Sequence, residues 1–278
     1  MVMNSMPICS ARVFLEKSLR MSGVTGVLNI DMINEPNALE GTVNYFSIFA
    51  PVSGKPGFAC EFRVGRQNKR KLSTKKIYLI RHGQTDFNLK NIVQGSGVDT
   101  DLNAKGRAQA DAFFSMYKGV SFDKVYTSAL KRSQQSVEGF LELGIPSEAL
   151  AGLNEISWGT KEGFKVTPEE DEYYHYMIRQ WQLGNTTLKI EKGESPEDVV
   201  SRMKPAMDLI LSRPDEKTVL ICMHGRAIRI LLCYLLNYPL RSMDMFEHEN
   251  LCLYLLNYTG SMFSVELFND VTHLRSFN

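Results

Sequence analysis

Cysteine is scarce in this chain of 278 residues: five are present (Cys9, Cys60, Cys222, Cys233 and Cys252), an odd number without Cys-x-x-Cys spacing. That excludes a complete disulfide framework and the common zinc or redox motifs, and a reducing, cytoplasmic setting is expected. A surplus of charge of one sign is missing as well. The formal net charge is +1, so no global field draws nucleic acid or an anionic membrane, and any anion selectivity must come from a local cluster. No uninterrupted apolar run reaches the roughly 20 residues of a membrane span, and no basic stretch followed by a clean apolar one suggests a secretory leader. Neither nucleic acid nor membrane is an expected partner.

Hydrophobic residues make up 44% and charged residues 23%, the balance of a chain that folds by burial. From Lys76 onward short β-rich runs alternate with helical patterns, the mark of an α/β fold: a three-layer α/β/α sandwich with a mostly parallel central sheet. Residues 1–75 do not follow it. They scatter Gly, Pro, Asn and Ser, carry ten basic against five acidic residues, and close on Arg66, Lys69, Arg70, Lys71 and Lys75. They are read as an N-terminal extension, either a poorly ordered tail or a small accessory segment with a strand pair near 43–49 and 58–64. A chain initiated at Leu72 would instead place the first core strand at its own N-terminus.

Within 76–278, Asn103 is expected to cap a helix to about Lys118 with Gly119 as its stop, and Ser128 a second one ending at Gly144. Ser195-Pro196-Glu197-Asp198 opens a third that Pro214 bounds, and Gly225 leads an apolar helix through Ile228, Leu231, Leu232, Leu235 and Leu236. A closing hairpin is read at 251–256 and 262–267, and its edge strand is where a second copy of the chain could pair, making a homo-oligomer. Residues 156–193 interrupt the alternation with acids and with Trp158, Tyr173, Tyr174, Tyr176 and Trp181. Composition leaves two readings open there, a lid over the sheet edge or a surface insertion packed by its own aromatics.

Arg81-His82-Gly83 directly follows the apolar run Ile77-Tyr78-Leu79-Ile80, and His224-Gly225 directly follows Val219-Leu220-Ile221-Cys222. Ligands of open α/β sheets bind at the carboxyl ends of strands, so two imidazoles and an arginine delivered there suggest anion handling.

Arg81-His82-Gly83-Gln84-Thr85-Asp86-Phe87-Asn88 resembles the signature of the histidine phosphatase superfamily. The matching order continues with Gln94-Gly95, Asp101-Leu102-Asn103, Gly106, Gln109-Ala110 and Val125 to Arg132. Leu153-Asn154-Glu155-Ile156, Gly193-Glu194-Ser195, Asp198, Arg202 and His224-Gly225 complete it. The resemblance covers residues 76 to 268 and implies a phosphoglycerate mutase-like fold, with His82, Glu155 and His224 as catalytic residues. It also implies substrate contacts from Arg81, Asn88, Gln94, Gly95, Arg132 and Gly225, and requires no cofactor.

The residue types fit that chemistry. Phosphoryl transfer needs a nucleophile in line with the leaving oxygen and positive donors around the other oxygens. His82, with one ring nitrogen held by a backbone carbonyl, can attack phosphorus to give a phosphohistidine that water resolves. Arg81 and Arg132 offer planar forks for phosphoryl oxygens, and Asn88 adds a neutral donor. His224 and the Gly225 N–H at a helix start would donate to the same oxygens. The resemblance places Glu155 beside them as the acid for the departing alkoxide, which needs a proton when substrate arrives.

A cysteine phosphatase does not fit, because the sixth residue after Cys222 is Ile228 and not arginine. Zinc on His82, His224 and Glu155 is disfavoured by two flanking arginines. His175 and His273 are read as surface or structural residues, and His248-Glu249-Asn250 as a brace for the second histidine's loop. Arg226 is read as an ion-paired residue or as a reader of a second anionic group at the pocket mouth. The segment Ser157 to Phe164 is more like the phosphatase branch than the mutases, which carry a longer insertion there. The expectation is a phosphatase acting on a small phosphate ester through phosphohistidine at His82. A phosphoglycerate mutase-type phosphotransferase or a non-catalytic phosphate-binding protein are the alternatives.

Overall fold

The computed structural model describes residues 29–34, 44–49, 59–63 and 74–277. The chain divides into two compact units, Met1–Arg70 and Lys71–Asn278. In the first, β1 (Asn29–Asn34), β2 (Asn44–Phe49) and β3 (Ala59–Arg63) form an antiparallel sheet in that order. The β2–β3 pair lies where a strand pair was expected. β1, written Asn-Ile-Asp-Met-Ile-Asn, is too polar to have signalled a strand.

The second unit is built on six strands: β4 (Lys75–Arg81), β5 (Lys124–Thr127), β6 (Ser147–Ala149), β7 (Thr218–Met223), β8 (Leu253–Tyr258) and β9 (Phe263–Asp270). Their order is β6-β5-β7-β4-β8-β9. The first four are mutually parallel, while β8 runs antiparallel to β4 and to β9. The helices are α1 (Asp86–Leu89), α2 (Ala104–Tyr117), α3 (Lys131–Gln135), α4 (Glu138–Glu142), α5 (Pro168–Gln182), α6 (Pro196–Ser212) and α7 (Gly225–Leu235).

Side chains alternate across a strand, and here both faces are apolar. Ile77, Leu79, Val219 and Ile221 pack on Met203 and Ile210 of α6, Ile228 and Leu231 of α7, and Trp181 of α5. Tyr78, Ile80, Leu220 and Cys222 pack on Phe113 of α2 and Phe140 of α4. Each such side chain contributes about 1.5–3 kcal/mol when fully buried, and the result is the expected three-layer α/β/α sandwich. Among the described residues no helix is long and apolar enough to cross a membrane.

Local signals account for most helix ends. The Asn103 side chain accepts from Gly106 N at 2.8 Å, and Ser195 with Asp198 closes a capping box on α6. The helix expected from Ser128 to Gly144 is instead two short ones. Ser128 caps neither: its Oγ accepts from Leu130 N at 3.1 Å and is committed elsewhere. Ser133 and Ser136 then donate back to the Leu130 and Arg132 carbonyls at 2.8 and 2.6 Å. Such bonds compete with the helical ladder, so α3 stops at Gln135, and α4 restarts at Glu138 and ends before Gly144 at φ +78°.

Candidate active site

Parallel pairing of β4 with β7 sets Arg81 opposite Met223, so the residues that follow each strand leave the sheet at one edge. The backbone N–H of His82 donates to Met223 O at 3.0 Å. The two imidazoles meet there with centroids 5.1 Å apart and planes at 55°, both buried. His82 Nδ1 donates to Gly83 O at 2.7 Å, which leaves the Nε2 lone pair for attack. Burial, then Arg132 and Arg81, hold His82 well below the usual histidine range, so that lone pair is present at neutral pH. A side chain at Gly83 would stand 2.6 Å from Gly106 O, which is why glycine follows His82.

Arg132 is fully buried, and burial pulls it down to about 10 without discharging it at neutral pH. Its Nε donates to His224 Nδ1 at 3.2 Å, Nη1 to Val98 O at 2.7 Å and Nη2 to Gly95 O at 3.1 Å. Two of its five N–H groups are left for an anion. Arg81 donates from Nη1 to His248 Nδ1 at 3.2 Å, and its buried Nε has no hydrogen-bond partner among the described residues. A buried guanidinium with unspent donors is a receptor for an anion.

Asn88 and Gln94 are oriented in the same sense. Asn88 Oδ1 accepts from Thr85 N at 3.1 Å, and Gln94 Oε1 from the Thr85 and Thr100 hydroxyls at 2.7 and 3.0 Å. Their NH2 groups remain for the cavity that both line. Gly95 contributes through its backbone: besides receiving Arg132, its Cα leaves room for Glu162, whose Oε1 a Cβ would approach to 2.1 Å. Glu162 in turn accepts from Trp158 N at 2.7 Å, pinning the segment after Glu155 to this loop.

Glu155 is buried at the N-terminus of α7. Its Oε1 accepts from Ile156 N and Ala227 N, both at 2.9 Å, and Oε2 from Arg226 N at 3.1 Å. Oε2, with a single donor, is the oxygen with room for a proton. The loop that carries Glu155 is held by Arg202, which donates to the carbonyls of Gly152, Asn154 and Glu155 at 2.9, 3.0 and 2.9 Å and pairs with Glu194 at 2.7 Å.

The geometry gathers the anticipated residues, adds Ser128, and gives His248 and Asn250 definite contacts. Ser128 Oγ lies 2.7 Å from His224 Nε2. Asn250 Nδ2 donates to His82 O at 3.0 Å and lies 3.3 Å from Asn88 Oδ1. The His248 ring occupies the space where a Gly225 Cβ would stand, 2.7 Å from Cε1; burial and then Arg81 hold it down to about 2, hence neutral. His248 thus packs beside the Gly225 that follows the second histidine, and Asn250 holds the carbonyl of the first. Arg226 does not read the pocket mouth: it is buried, pairs with Asp244 at 2.5 Å, donates to Tyr174 Oη at 2.6 Å and stacks over Trp181.

A cavity of about 990 Å³ is lined by Arg81, Asn88, Gln94 and Asn250 together with Trp158, Lys161, Lys165, Asp171, Tyr173 and Tyr174. The histidines are not among its lining residues; Arg81, which precedes His82, is. In the segment 156–193, Trp158 and Trp181 stack at 6.0 Å within the core, while Trp158, Lys161, Lys165, Asp171, Tyr173 and Tyr174 line the cavity.

Comparison with known proteins agrees with this geometry. Rat 6-phosphofructo-2-kinase/fructose-2,6-bisphosphatase 1 is 36% identical over 169 residues, covering 60% of this chain and 34% of that protein. This chain thus spans about a third of that relative's length. A 2,3-bisphosphoglycerate-dependent phosphoglycerate mutase of Bartonella tribocorum is 35% identical over 165 residues, 56% of this chain and 79% of the mutase. Among solved structures, YhfR of Bacillus stearothermophilus superposes with a TM-score of 0.64 at 27% identity, over 72% of this chain and 100% of that one. A mycobacterial glucosyl-3-phosphoglycerate phosphatase, 24% identical with a TM-score of 0.60 over 70% of this chain and 99% of that one, shares the fold. The family model of the histidine phosphatase superfamily, branch 1, matches residues 77–271, and with the paired histidines and arginines in place this chain belongs to that superfamily.

Proposed function

We propose that the protein is a phosphatase that hydrolyses small phosphomonoesters through a phosphohistidine on His82. The observation that carries this is the fixed orientation of His82: Nδ1 is spent on Gly83 O, and the buried ring is kept neutral beside Arg81 and Arg132. Nε2 attacks phosphorus, the P–O ester bond breaks, and the alkoxide takes the Glu155 proton. Water then attacks phosphorus and gives a proton to Glu155, while the P–N bond breaks with its electron pair returning to Nε2, which releases phosphate and restores neutral His82. Arg81 and Arg132 neutralise the equatorial oxygens throughout. Hydrolysis is favoured over transfer because the segment Ser157 to Phe164 is more like the phosphatase branch of the superfamily than the mutases.

The test is incubation with a panel of phosphorylated metabolites, following phosphate release and acid-labile, base-stable labelling of the protein. Release and labelling are both expected, and both are to vanish in His82→Ala. Transfer to an added acceptor alcohol in preference to water would make the protein a mutase. Neither turnover nor labelling in the wild type would make it a binding protein.

A further inference from the structure

His224 has no ring nitrogen to spare. Arg132 Nε is an obligate donor, so Nδ1, 3.2 Å away, must carry a lone pair. A neutral ring then holds its proton on Nε2, and Ser128 Oγ, 2.7 Å away, accepts it. Ser128 passes its own proton to Ser133 Oγ at 2.7 Å, which donates to Leu130 O at 2.8 Å. Every donor in this buried chain is assigned. The ring cannot donate to a phosphoryl oxygen in this state, although it stands at the cradle.

We propose that Ser128 is a positioning residue that holds the Nε2–H of His224, so that the second histidine grips a phosphoryl oxygen only by taking up a proton at Nδ1 as the anion binds. This rests on the reading that a phosphoryl group occupies the cradle. The proton comes from solvent or from a monoanionic substrate. Once Nδ1 is protonated it no longer accepts from Arg132, whose Nε–H turns to the anion; the Arg132–His224 bond is the resting state of a switch.

The charged groups around the ring agree. His82 and Arg81 from the end of β4, Arg132 from α3 and Arg202 from α6 all disfavour an imidazolium in the empty site, where burial already keeps the ring neutral. A bound dianion reverses that balance. Ser128 supports the charged ring by remaining an acceptor for its second N–H.

The experiment uses the full chain labelled with ¹⁵N-histidine, with His224 assigned through His224→Asn, and sulfate as a tetrahedral dianion that brings no proton of its own. Two-bond ¹H–¹⁵N spectra are expected to show the Nε2–H tautomer in the free protein and a doubly protonated ring when sulfate is saturating. In Ser128→Ala the sulfate-bound ring is expected to lose its second proton about one pH unit or more lower, a tenfold or larger shift in that equilibrium. Ser128→Thr, which keeps the hydroxyl, should restore it. A merely structural Ser128 would leave the midpoint where it is, and that overturns its role. An Nδ1–H tautomer in the free wild type, or a ring that stays neutral with sulfate bound, overturns the proposal even should the variants not fold. Failure of sulfate to perturb any histidine would count against the phosphoryl reading itself.

Discussion

Arg226 links Tyr174, which lines the cavity, to Glu155. Its guanidinium donates to Tyr174 Oη of α5 at 2.6 Å, while its backbone N–H, at the start of α7, donates to Glu155 Oε2 at 3.1 Å. Tyr174→Phe removes the first of these bonds and keeps the ring against Trp158, 5.6 Å between centroids. A charge-assisted hydrogen bond of this kind is worth about 1.5–3 kcal/mol. The expected outcome is a several-fold rise in KM with kcat nearly unchanged, read from steady-state kinetics. A fall in kcat at constant KM would show that the tyrosine acts through α7 and not through the cavity wall.

Two buried histidines, His82 and His224, and the half-buried His248 make the fold sensitive to acid. Burial, with arginines next in weight, holds His82, His224 and His248 below the ordinary histidine range. In the unfolded chain they titrate near 6.5, so below that pH the unfolded state binds protons that the folded state refuses. Their stabilising contribution is complete above 6.5 and is lost as pH falls toward the folded values, about 2 for His248. The loss is up to about 1.4 kcal/mol per pH unit for each ring. The melting temperature should be level above pH 7 and drop steeply between 6.5 and 5, with a shallower drop in His248→Gln. A flat profile across that interval would contradict the burial of these rings.

Arg202 positions Glu155 without touching the cavity. Its fork spans the carbonyls of Gly152, Asn154 and Glu155 and the Glu194 carboxylate, a pattern that lysine, with one compact ammonium, cannot reproduce. Arg202→Lys is expected to lower kcat at least tenfold on alkyl phosphates, to leave KM within about twofold, and to lower stability by about 2–4 kcal/mol. Denaturant unfolding and kinetics on one preparation check both. Loss of stability alone, with kcat intact, would confine Arg202 to a structural role.

Much of this was legible in the residues. Apolar runs ending in Arg-His-Gly and His-Gly placed both histidines at one sheet edge, because strand direction and pairing leave no other arrangement for a parallel β4 and β7. Helices with a cap and a glycine or proline stop, α2 and α6, fell where expected for the same local reason. Ser128 was misread because a serine before a polar run looks like a cap; its real partners, His224 and Ser133, come together only through tertiary packing and hydroxyl back-bonding. Arg226 sits beside the second histidine in sequence, yet its side chain is spent on Asp244 and Tyr174. No periodicity announces an ion pair between α7 and a later loop. Asn250, which holds the His82 carbonyl, lies on a loop without regular pattern.

Glu155 carries two duties that one substitution can separate. As a capping group it accepts the Arg226 and Ala227 N–H groups at the start of α7, and loss of such a cap costs about 0.5–2 kcal/mol. As an acid it would protonate the leaving alkoxide, a contribution of about 10²- to 10⁴-fold. Glu155→Gln keeps an oxygen for the helix N–H groups but has no proton to give. Activated aryl phosphates, whose leaving groups depart unassisted, should be hydrolysed by the variant within about tenfold of the wild-type rate, whereas alkyl phosphates should lose most of the factor that acid catalysis supplies. The ratio of the two kcat/KM values is the measurement, because capping damage lowers both alike and cancels. An equal loss on both substrates would leave Glu155 a cap for the helix that carries the second histidine and would assign the proton to another donor.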